Sequence, residues 1–169
     1  MTTLKEIHEK RILVEDAFKS KKDEVHVAGW ADNIRELGKI RFLVLRDSSG
    51  MIQITAIKDK VDKKVFDIIG KISRESIVYI KGKIKNAKQA PGGREIVPDE
   101  IEILNAAEEI PIDISDDTKT ELPKRLDFRF LDFHREKTQA IFKIQNTISN
   151  SFREFFYKKG FIEMQPPCV

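Results

Sequence analysis

Residues 39–56, KIRFLVLRDSSGMIQITA, decide the fold because they contain two apolar runs separated by a polar turn. The turn sequence at 47–50, Asp-Ser-Ser-Gly, favours a tight reversal, so the two runs are predicted to pair as a β-hairpin. Side chains of a strand alternate between its two faces. One face of the second strand is then apolar, and it consists of Ile52, Ile54 and Ala56. Phe42 and Gln53 share the opposite face, where an aromatic ring beside an amide is suited to holding a flat base.

Length and composition limit the class of protein. With 169 residues and 40% hydrophobic content, the chain can bury a core, and one domain plus part of a second is expected. No apolar run is long enough to span a bilayer, and the charged N-terminus lacks the apolar segment of a secretory signal. Cys168 is the only cysteine and the three histidines have no ligand spacing, so no disulfide and no metal site are predicted. These features predict a cytoplasmic protein with no membrane partner.

The order of the remaining elements predicts a small barrel. A strand begins at Val25 ahead of the hairpin, and the hairpin is followed by a helix at 61–72 and by strands at 76–85 and 95–104. Five strands with a helix between the third and fourth form an OB-fold, which binds oligonucleotides on the face of strands two and three. The predicted fold class is therefore mainly β, and the hairpin is the binding face of the barrel.

Four local features are predicted around this barrel. Residues 6–18 have a pattern typical of one short helix, and the charged segment 32–38 is predicted to connect the first two strands. Gly29 indicates a bulge or a sharp bend in the first strand, and Pro98 is predicted to interrupt the last strand.

Charge is distributed unevenly along the chain, although the net charge is only +3. Between residues 76 and 94 every charged side chain is basic: Lys81, Lys83, Lys85, Lys88 and Arg94. Such a stripe can contact phosphates of a nucleic acid, but lysines also protect the exposed edge of a sheet. The pattern alone leaves both interpretations open.

The character of the sequence changes after residue 105. Residues 106–124 are acidic and contain two prolines, which is typical of a linker rather than of a core element. The segment 125–135 then mixes charged and aromatic residues. Its charged side chains are predicted to form a structural ion-pair network, in which Arg125, Arg129 and Arg135 alternate along the chain with Asp127 and Asp132.

A long amphipathic helix is predicted over 135–159, with Gly160 as its terminating residue. Its apolar stripe consists of Ile141, Ile144, Ile148, Phe152, Phe155 and Phe156. Such a stripe needs a covering partner, which is either another subunit or a further part of a longer protein.

Five segments resemble one protein family in its order and spacing. They are GWADNIRELGKIRFLVLRDSSGMIQI, the basic strand, EIEILNAAEEIPIDI, RLDFRFLDFHR and AIFKIQNTISNSFREFFYKKGFIEMQPP. The resemblance covers residues 25–169, and the family is the aspartyl-tRNA synthetases of the archaeal and eukaryotic type, which are class IIb enzymes. It implies an OB-fold anticodon-binding domain at 1–105, a hinge at 106–132, and the first long helix and strand of a class II α+β catalytic domain at 133–169.

In that family the OB-fold binds the tRNA anticodon, so the resemblance implies tRNA and not DNA as the partner. Phe42 matches the aromatic residue that stacks on the central anticodon base, and Gln53 matches the amide that hydrogen-bonds this base. Arg35 matches a basic residue that reaches the anticodon from the connection between strands one and two. Without the resemblance, Phe42 could equally be a core aromatic and Gln53 a solvated strand residue.

Two positions bear on which tRNA is charged. Pro91 matches a proline of the archaeal members that charge the asparagine tRNA as well as the aspartate tRNA. Asp32 stands where those members usually have a histidine, so both selectivities stay open. The double proline at 166–167 is also similar to asparaginyl-tRNA synthetases, whereas RFLDFHR favours the aspartyl members.

The last segment resembles class II motif 1, whose helix and strand form the homodimer interface of the family. The residues implied at this interface are Ile144, Ile148, Phe152, Phe161 and Pro167. Motifs 2 and 3, which bind ATP and the aminoacyl-adenylate, lie outside these 169 residues. ATP and Mg²⁺ are therefore implied only for the longer protein, and no catalytic residue is assigned in this chain.

The 169-residue polypeptide is accordingly expected to be inactive in amino-acid activation. ATP–pyrophosphate exchange by the purified chain measures this, and exchange above background would contradict the expectation. The other class of function to consider is a free-standing OB-fold module that binds nucleic acid without catalysis. The long apolar stripe favours the ligase, because a free-standing module has no evident need of it.

Overall fold

The computed structural model describes residues 3–167, which fall into two units with the boundary between Ile110 and Pro111. The first unit contains the helices α1 Leu4–Lys10, α2 Val14–Lys19 and α3 Lys63–Ile69. Its strands are β1 Glu24–Leu37, β2 Ile40–Arg46, β3 Met51–Ile57, β4 Ile77–Asn86 and β5 Arg94–Asn105. The second unit contains the helices α4 Leu122–Asp127, α5 Arg129–Asp132 and α6 Glu136–Lys158. The finer division at residues 105 and 132 stays a prediction.

The five strands close into a barrel in the order β1-β2-β3-β5-β4. Neighbouring strands are antiparallel except β3 and β5, which run parallel through the pairs Gln53–Glu95 and Ile54–Ile96. The helix α3 lies between β3 and β4 in the chain, so the predicted OB-fold is confirmed. The short parallel contact completes the barrel and brings the start of β5 beside the middle of β3.

The predicted hairpin forms from β2 and β3, and its two faces differ as the alternation predicts. The core-facing side chains are fully buried: Leu43, Leu45, Ile52, Ile54 and Ala56. Phe42, on the opposite face of β2, is half-buried. The turn is stabilised by Asp47, whose Oδ1 accepts hydrogen bonds from the backbone N–H groups of Ser49 (2.8 Å) and Gly50 (3.1 Å).

The first strand is longer than the sequence predicts. The prediction that residues 32–38 form a connection is wrong, because β1 continues to Leu37 and pairs with β2 as far as Leu37–Ile40. The charged side chains of this segment are compatible with a strand, since only its backbone groups enter the ladder, and Arg35 and Glu36 are exposed to solvent. The connection is the tight turn at Gly38, whose φ of +58° favours glycine.

The irregularity in β1 lies beyond Gly29. The register with β2 shifts between Ala31 and Asn33, which places the bulge there. Gly29 instead permits a close approach of two strands, because a Cβ at this position would lie 2.3 Å from the Arg46 carbonyl oxygen.

The N-terminal segment forms two short helices, so the single helix predicted over 6–18 is wrong. Between α1 and α2 the backbone N–H of Ile12 donates to the carbonyl oxygen of His26 in β1 at 2.8 Å. A backbone group that is bonded to β1 cannot take part in a continuous helix, and this divides the two helices. Val14 and Ala17 of α2 are fully buried in the barrel core.

Two further bounds differ from the prediction. The helix predicted over 61–72 is shorter, because Asp62 caps it by accepting a hydrogen bond from the Lys64 N–H (2.7 Å). Pro98 does not interrupt β5, which is continuous. Pro98 lies opposite Gly82 at an irregularity of the β4–β5 ladder, where its missing N–H is tolerated.

The long helix predicted in the second unit is confirmed. It spans Glu136–Lys158, and Gly160 follows with a φ of +81°. Five residues of its apolar stripe are 58–65% exposed: Ile141, Ile144, Ile148, Phe152 and Phe155. The strand predicted after Gly160 does not form within the described residues, because a strand needs a neighbour to complete its backbone hydrogen bonds. Cys168 lies outside the described residues.

Part of the predicted ion-pair network of the second unit forms, around Asp132, with Arg125 and Arg135 but, among the described residues, without Arg129 and Asp127. The Asp132 carboxylate accepts hydrogen bonds from Arg125 Nε (2.7 Å) and Nη2 (3.0 Å), from Arg135 Nη1 (3.1 Å) and from the Thr138 hydroxyl (3.1 Å). Arg135 also donates to the backbone carbonyl oxygens at 115–116, which ties that segment to the start of α6. These hydrogen bonds, first of all those from Arg125, lower the pKa of Asp132 from 3.8 to about 2.

Candidate nucleic-acid interface

A cavity of about 750 Å³ opens on the outer face of the barrel, beside β2 and β3. The β1–β2 arm forms one side of it, and residues 87–90 of the β4–β5 loop form another. All three residues predicted to contact the anticodon line this cavity: Arg35, Phe42 and Gln53. The structure thus brings together side chains from three different strands, β1, β2 and β3.

Phe42 and Arg35 lie directly opposite each other across β1 and β2. The Arg35 Cζ lies 5.9 Å from the centre of the Phe42 ring, within the range of a cation–π contact. Arg35 is exposed and belongs to β1, not to a connection between strands. A positive charge beside an accessible aromatic ring can bind a base and its neighbouring phosphate together.

Gln53 is only 8% exposed, because residues of β3 and β5 cover its amide. Its Nε2 donates to Glu95 Oε2 (3.2 Å) and to Thr55 Oγ1 (3.2 Å), and the Thr55 hydroxyl donates to the same Glu95 oxygen (2.6 Å). A carboxylate only accepts hydrogen bonds, so the amide nitrogen must face Glu95. This orientation leaves Gln53 Oε1 as an acceptor with no protein partner among the described residues.

Glu95 and Thr55 are site residues that the sequence reasoning missed. Thr55 could have been found, because it alternates onto the same face of β3 as Gln53. Glu95 carries no local signal, since it reaches Gln53 only through the parallel β3–β5 pairing across 42 residues. The cavity therefore contains a hydrogen-bonded group of three side chains where the sequence predicts a single amide.

The four predicted lysines are not gathered at the cavity. Lys88 lines it and is exposed. The other three alternate along β4, and each pairs across the sheet with a carboxylate-bearing residue: Lys81 with Glu100, Lys85 with Glu95, and Lys83 with Glu24. The Lys81 Nζ also lies 3.5 Å from Glu24 Oε2. These neighbouring carboxylates reduce the positive potential that the lysine stripe can offer to phosphates.

The two positions predicted to affect tRNA selectivity lie in different surroundings. Asp32 is in β1, where its carboxylate accepts from Arg46 Nε (3.3 Å) and its backbone carbonyl from Arg74 Nε (2.8 Å). It does not line the cavity. Pro91 begins a short 3-10 turn at Pro91–Gly93, directly after Ala90, which does line it.

The residues predicted at a dimer interface belong to the second unit. Ile148, Phe152 and Phe161 line a cavity of about 830 Å³ formed by α6 and the segment after it. Phe161 packs edge-on against Phe156 with 5.2 Å between ring centres. Ile144 and Pro167 are exposed. This apolar surface has no covering partner within the described part of the chain.

Residues 3–167 contain neither a metal-binding cluster nor a membrane-spanning helix. No group of three or more His, Cys, Asp or Glu side chains is placed to hold a metal ion. None of the helices in this range is long and apolar enough to cross a membrane.

Two known families match the chain, one in each of its two structural units. Residues 25–104 match the OB-fold nucleic acid binding domain, and residues 121–169 match the tRNA synthetases class II (D, K and N). The chain is 47% identical over 139 residues to an aspartate–tRNA(Asp/Asn) ligase of Methanospirillum hungatei, covering 82% of this chain and 32% of that protein. To the ligase of the same name from Methanopyrus kandleri it is 41% identical over 148 residues, covering 87% and 34%.

Two solved structures are similar over nearly the whole chain. The asparaginyl-tRNA synthetase of Pyrococcus horikoshii, in complex with asparaginyl-adenylate, superposes with a TM-score of 0.84 at 31% identity, covering 94% of this chain and 36% of that one. The aspartyl-tRNA synthetase of Entamoeba histolytica superposes with a TM-score of 0.81 at 25% identity, covering 94% and 39%. The present chain spans about a third of the length of the curated relatives it matches.

The closed barrel and the cavity on its β2–β3 face define an OB-fold nucleic-acid-binding domain, here followed by a class II synthetase segment. Residues 121–169 thus match the class II tRNA synthetases of the D, K and N group, and most of the chain is similar to ligases and synthetases of that group. The curated relatives given above are aspartate–tRNA ligases, in agreement with the resemblance of the sequence.

Proposed function

We propose that the barrel binds the anticodon loop of a tRNA, as part of a longer ATP-dependent aspartate–tRNA ligase. The observation that carries this proposal is the single cavity in which Phe42, Arg35 and the Gln53–Glu95 pair converge. An accessible ring provides stacking, the guanidinium neutralises a phosphate, and fixed hydrogen-bonding groups can distinguish one base from another.

The chemistry of the Gln53–Glu95 pair suits a uracil base. Aspartate and asparagine codons share a central adenine, so the anticodons of both tRNAs share a central uridine. Uracil presents an N3–H donor, which can pair with the carbonyl oxygen of Gln53 or with the Glu95 carboxylate. Cytosine presents an unprotonated N3 at the same place, so two acceptors would face each other and remain unpaired.

The amino acid that we assign is aspartate. The relatives with 41–47% identity are named aspartate–tRNA(Asp/Asn) ligases. The asparaginyl-tRNA synthetase of Pyrococcus horikoshii has a lower identity to this chain, 31%. The names of these relatives also support the relaxed selectivity that Pro91 suggests, with both the aspartate and the asparagine tRNA as substrates. Aminoacylation of the two tRNAs by the longer protein tests this assignment.

The second unit supports a homodimer in the longer protein. The exposed stripe of α6 and the cavity lined by Phe152 and Phe161 provide the apolar surface that a stable subunit interface requires. ATP and Mg²⁺ belong to the same proposal, as cofactors of the longer ligase. Sedimentation of the longer protein with Phe152→Glu measures the dimer, which the new charge is expected to dissociate.

Binding of anticodon stem-loop RNA by this chain tests the proposal directly. Fluorescence anisotropy would compare a loop carrying the central uridine with the same loop carrying a central cytidine. We expect the uridine loop to bind about 5- to 150-fold more tightly, which corresponds to one unsatisfied polar group at the cavity. Equal affinity for both loops and for single-stranded DNA would favour a general nucleic-acid-binding module.

Replacement of Gln53 by alanine is expected to reduce this discrimination. The change removes the acceptor Oε1, so the ratio of affinities for the uridine and cytidine loops should fall toward one. Val44→Ala provides a matched control, because Val44 pairs with Gln53 across β2 and β3 but does not line the cavity, so the ratio should stay unchanged. An equal loss of affinity for every loop would instead make Gln53 a general positioning contact.

A further inference from the structure

The Arg94 side chain caps the C-terminal end of α2. Its Nη1 donates to the backbone carbonyl oxygens of Phe18 (2.6 Å), Ser20 (3.1 Å) and Ala17 (3.5 Å). The last carbonyl groups of a helix have no partner within the helix and carry the negative end of its dipole. A guanidinium at this point therefore holds the end of α2 against the first residue of β5.

The other end of α2 is bonded to the β2–β3 turn. The backbone N–H of Val14 donates to Asp47 Oδ2 (2.8 Å), and that of Glu15 donates to Ser49 Oγ (3.0 Å). The buried side chains of α2 fix it in the barrel core between these two attachments. The helix thus joins the hairpin that carries Phe42 to the strand that begins with Arg94.

The β4–β5 loop also rests on α2. A Cβ at Gly92 would lie 2.7 Å from the Phe18 ring, so the ring packs directly against the loop backbone. The loop is closed by hydrogen bonds from Ala87 N to Gly93 O (2.9 Å) and from Gly93 N to Ala90 O (2.9 Å). Residues 87–90 of this closed loop form one wall of the RNA-binding cavity, and Lys88 belongs to this wall.

We propose that α2 is a brace for the RNA-binding cavity and that Arg94 is a positioning residue which holds Lys88 toward the RNA backbone. The inference rests on the proposed function, since it assumes that the cavity binds RNA. Lys88 is the one predicted lysine that lines the cavity. The loop that carries Lys88 packs against Phe18 of α2 and is followed by Arg94, which hydrogen-bonds to the end of α2. Without the brace the loop would remain present, but Lys88 would no longer be preorganised for a phosphate.

The geometry also indicates which substitution should preserve the brace. The hydrogen bonds to α2 and to its C-cap residue Ser20 all come from Nη1, while the buried Nε of Arg94 has no hydrogen-bond partner among the described residues. An ammonium group has three donors and can replace Nη1. Arg94→Lys should therefore retain the brace, and Arg94→Met, which has similar length and no donor, should remove it.

A double-mutant cycle on the full 169-residue chain, with the uridine stem-loop as the RNA, tests the brace. In the otherwise unchanged protein, Lys88→Ala should weaken binding about threefold to tenfold and reduce the slope of log affinity against log salt by about 0.7. In the Arg94→Met background the same change should cost less than about twofold, because Lys88 has already lost its position. In the Arg94→Lys background its full effect should return.

Two controls separate positioning from general destabilisation. Arg41 also donates to a helix, from Nη1 to the Phe66 carbonyl oxygen (2.6 Å), but it does not line the cavity. Arg41→Met should leave the Lys88→Ala effect unchanged. Phe42→Ala should cost the same in the Arg94→Met background as in the unchanged protein, since Phe42 lies on a strand and not on the braced loop.

The outcomes are distinguishable. An undiminished Lys88→Ala effect in the Arg94→Met background overturns the brace and leaves RNA binding intact. Absence of binding by the unchanged protein overturns the proposed function itself. If Arg94→Met does not fold, the cycle is run with Phe18→Leu, which loosens the contact with Gly92 and keeps the hydrogen bonds of Arg94; full retention of the Lys88→Ala effect there also overturns the brace.

Discussion

Replacement of Asp132 by asparagine is expected to lower the free energy of unfolding of the second unit by about 3 kcal/mol. The carboxylate neutralises two guanidinium groups, those of Arg125 and Arg135, and its side chain is only 10% exposed. An uncharged amide would leave these two positive charges close together without compensation. The loss is larger than for a surface ion pair because the pair is shielded from solvent.

Urea denaturation followed by circular dichroism at 222 nm measures this loss, since α6 supplies much of the helical signal. Trp30, the only tryptophan, lies in β1 and reports on the barrel by fluorescence in the same samples. Asp127→Asn is a matched control, because Asp127 is exposed and the same chemical change is made five residues earlier. Equal stabilities of the two variants would contradict a structural role for Asp132.

The effect of Asp132 should also depend on pH. Its pKa is lowered to about 2 in the folded chain, from an ordinary value of 3.8. A lowered pKa contributes stability that is present above the unfolded value and is lost as the pH falls through the folded one. The difference in stability between the unchanged protein and Asp132→Asn should therefore be constant near neutral pH and shrink between about pH 4 and pH 2.

Phe42→Ala is expected to weaken binding of the anticodon stem-loop by about 1–3 kcal/mol, the range found for removal of a stacking aromatic. This corresponds to a decrease in affinity of about 5- to 150-fold. The ring is half-buried on the outer face of β2, whereas Leu43 and Leu45 supply the core packing of this strand. The barrel should accordingly remain folded.

Val44→Ala provides the matched control for Phe42→Ala. Val44 is half-buried on the same face of β2 but does not line the cavity, so its truncation should leave RNA binding unchanged. Phe42→Leu separates stacking from apolar contact, because it keeps much of the volume and removes the π-face. Unchanged RNA affinity together with a lowered melting temperature for Phe42→Ala would assign the ring to the core.

Local sequence patterns were sufficient to predict the hairpin and the long helix. Alternation of apolar residues predicted both strands of the hairpin and the correct face for Phe42, because side-chain direction in a strand has a period of two. Helical spacing with a glycine after it predicted α6 to within one residue at each end. Each of these signals depends on residues within a few positions of one another.

Predictions failed where a distant backbone group decided the local conformation. A continuous helix over 6–18 is prevented by one hydrogen bond from Ile12 to His26 in β1. The charged segment 32–38 is a strand because β2 supplies partners for its backbone, and its composition carries no sign of that pairing. Local propensity is a weak prior wherever tertiary contacts compete with it.

The sequence by itself determined the barrel, the hairpin at its centre and the face that carries Phe42 and Gln53, because regular alternation and strand order specify which face each side chain occupies. Only the tertiary structure decided how that cavity is completed. The parallel contact of β3 with β5 places Glu95 against Gln53, and Arg94 joins the same strand to α2. Both contacts join residues more than 40 positions apart, and such pairings arise from closure of the barrel rather than from any local pattern.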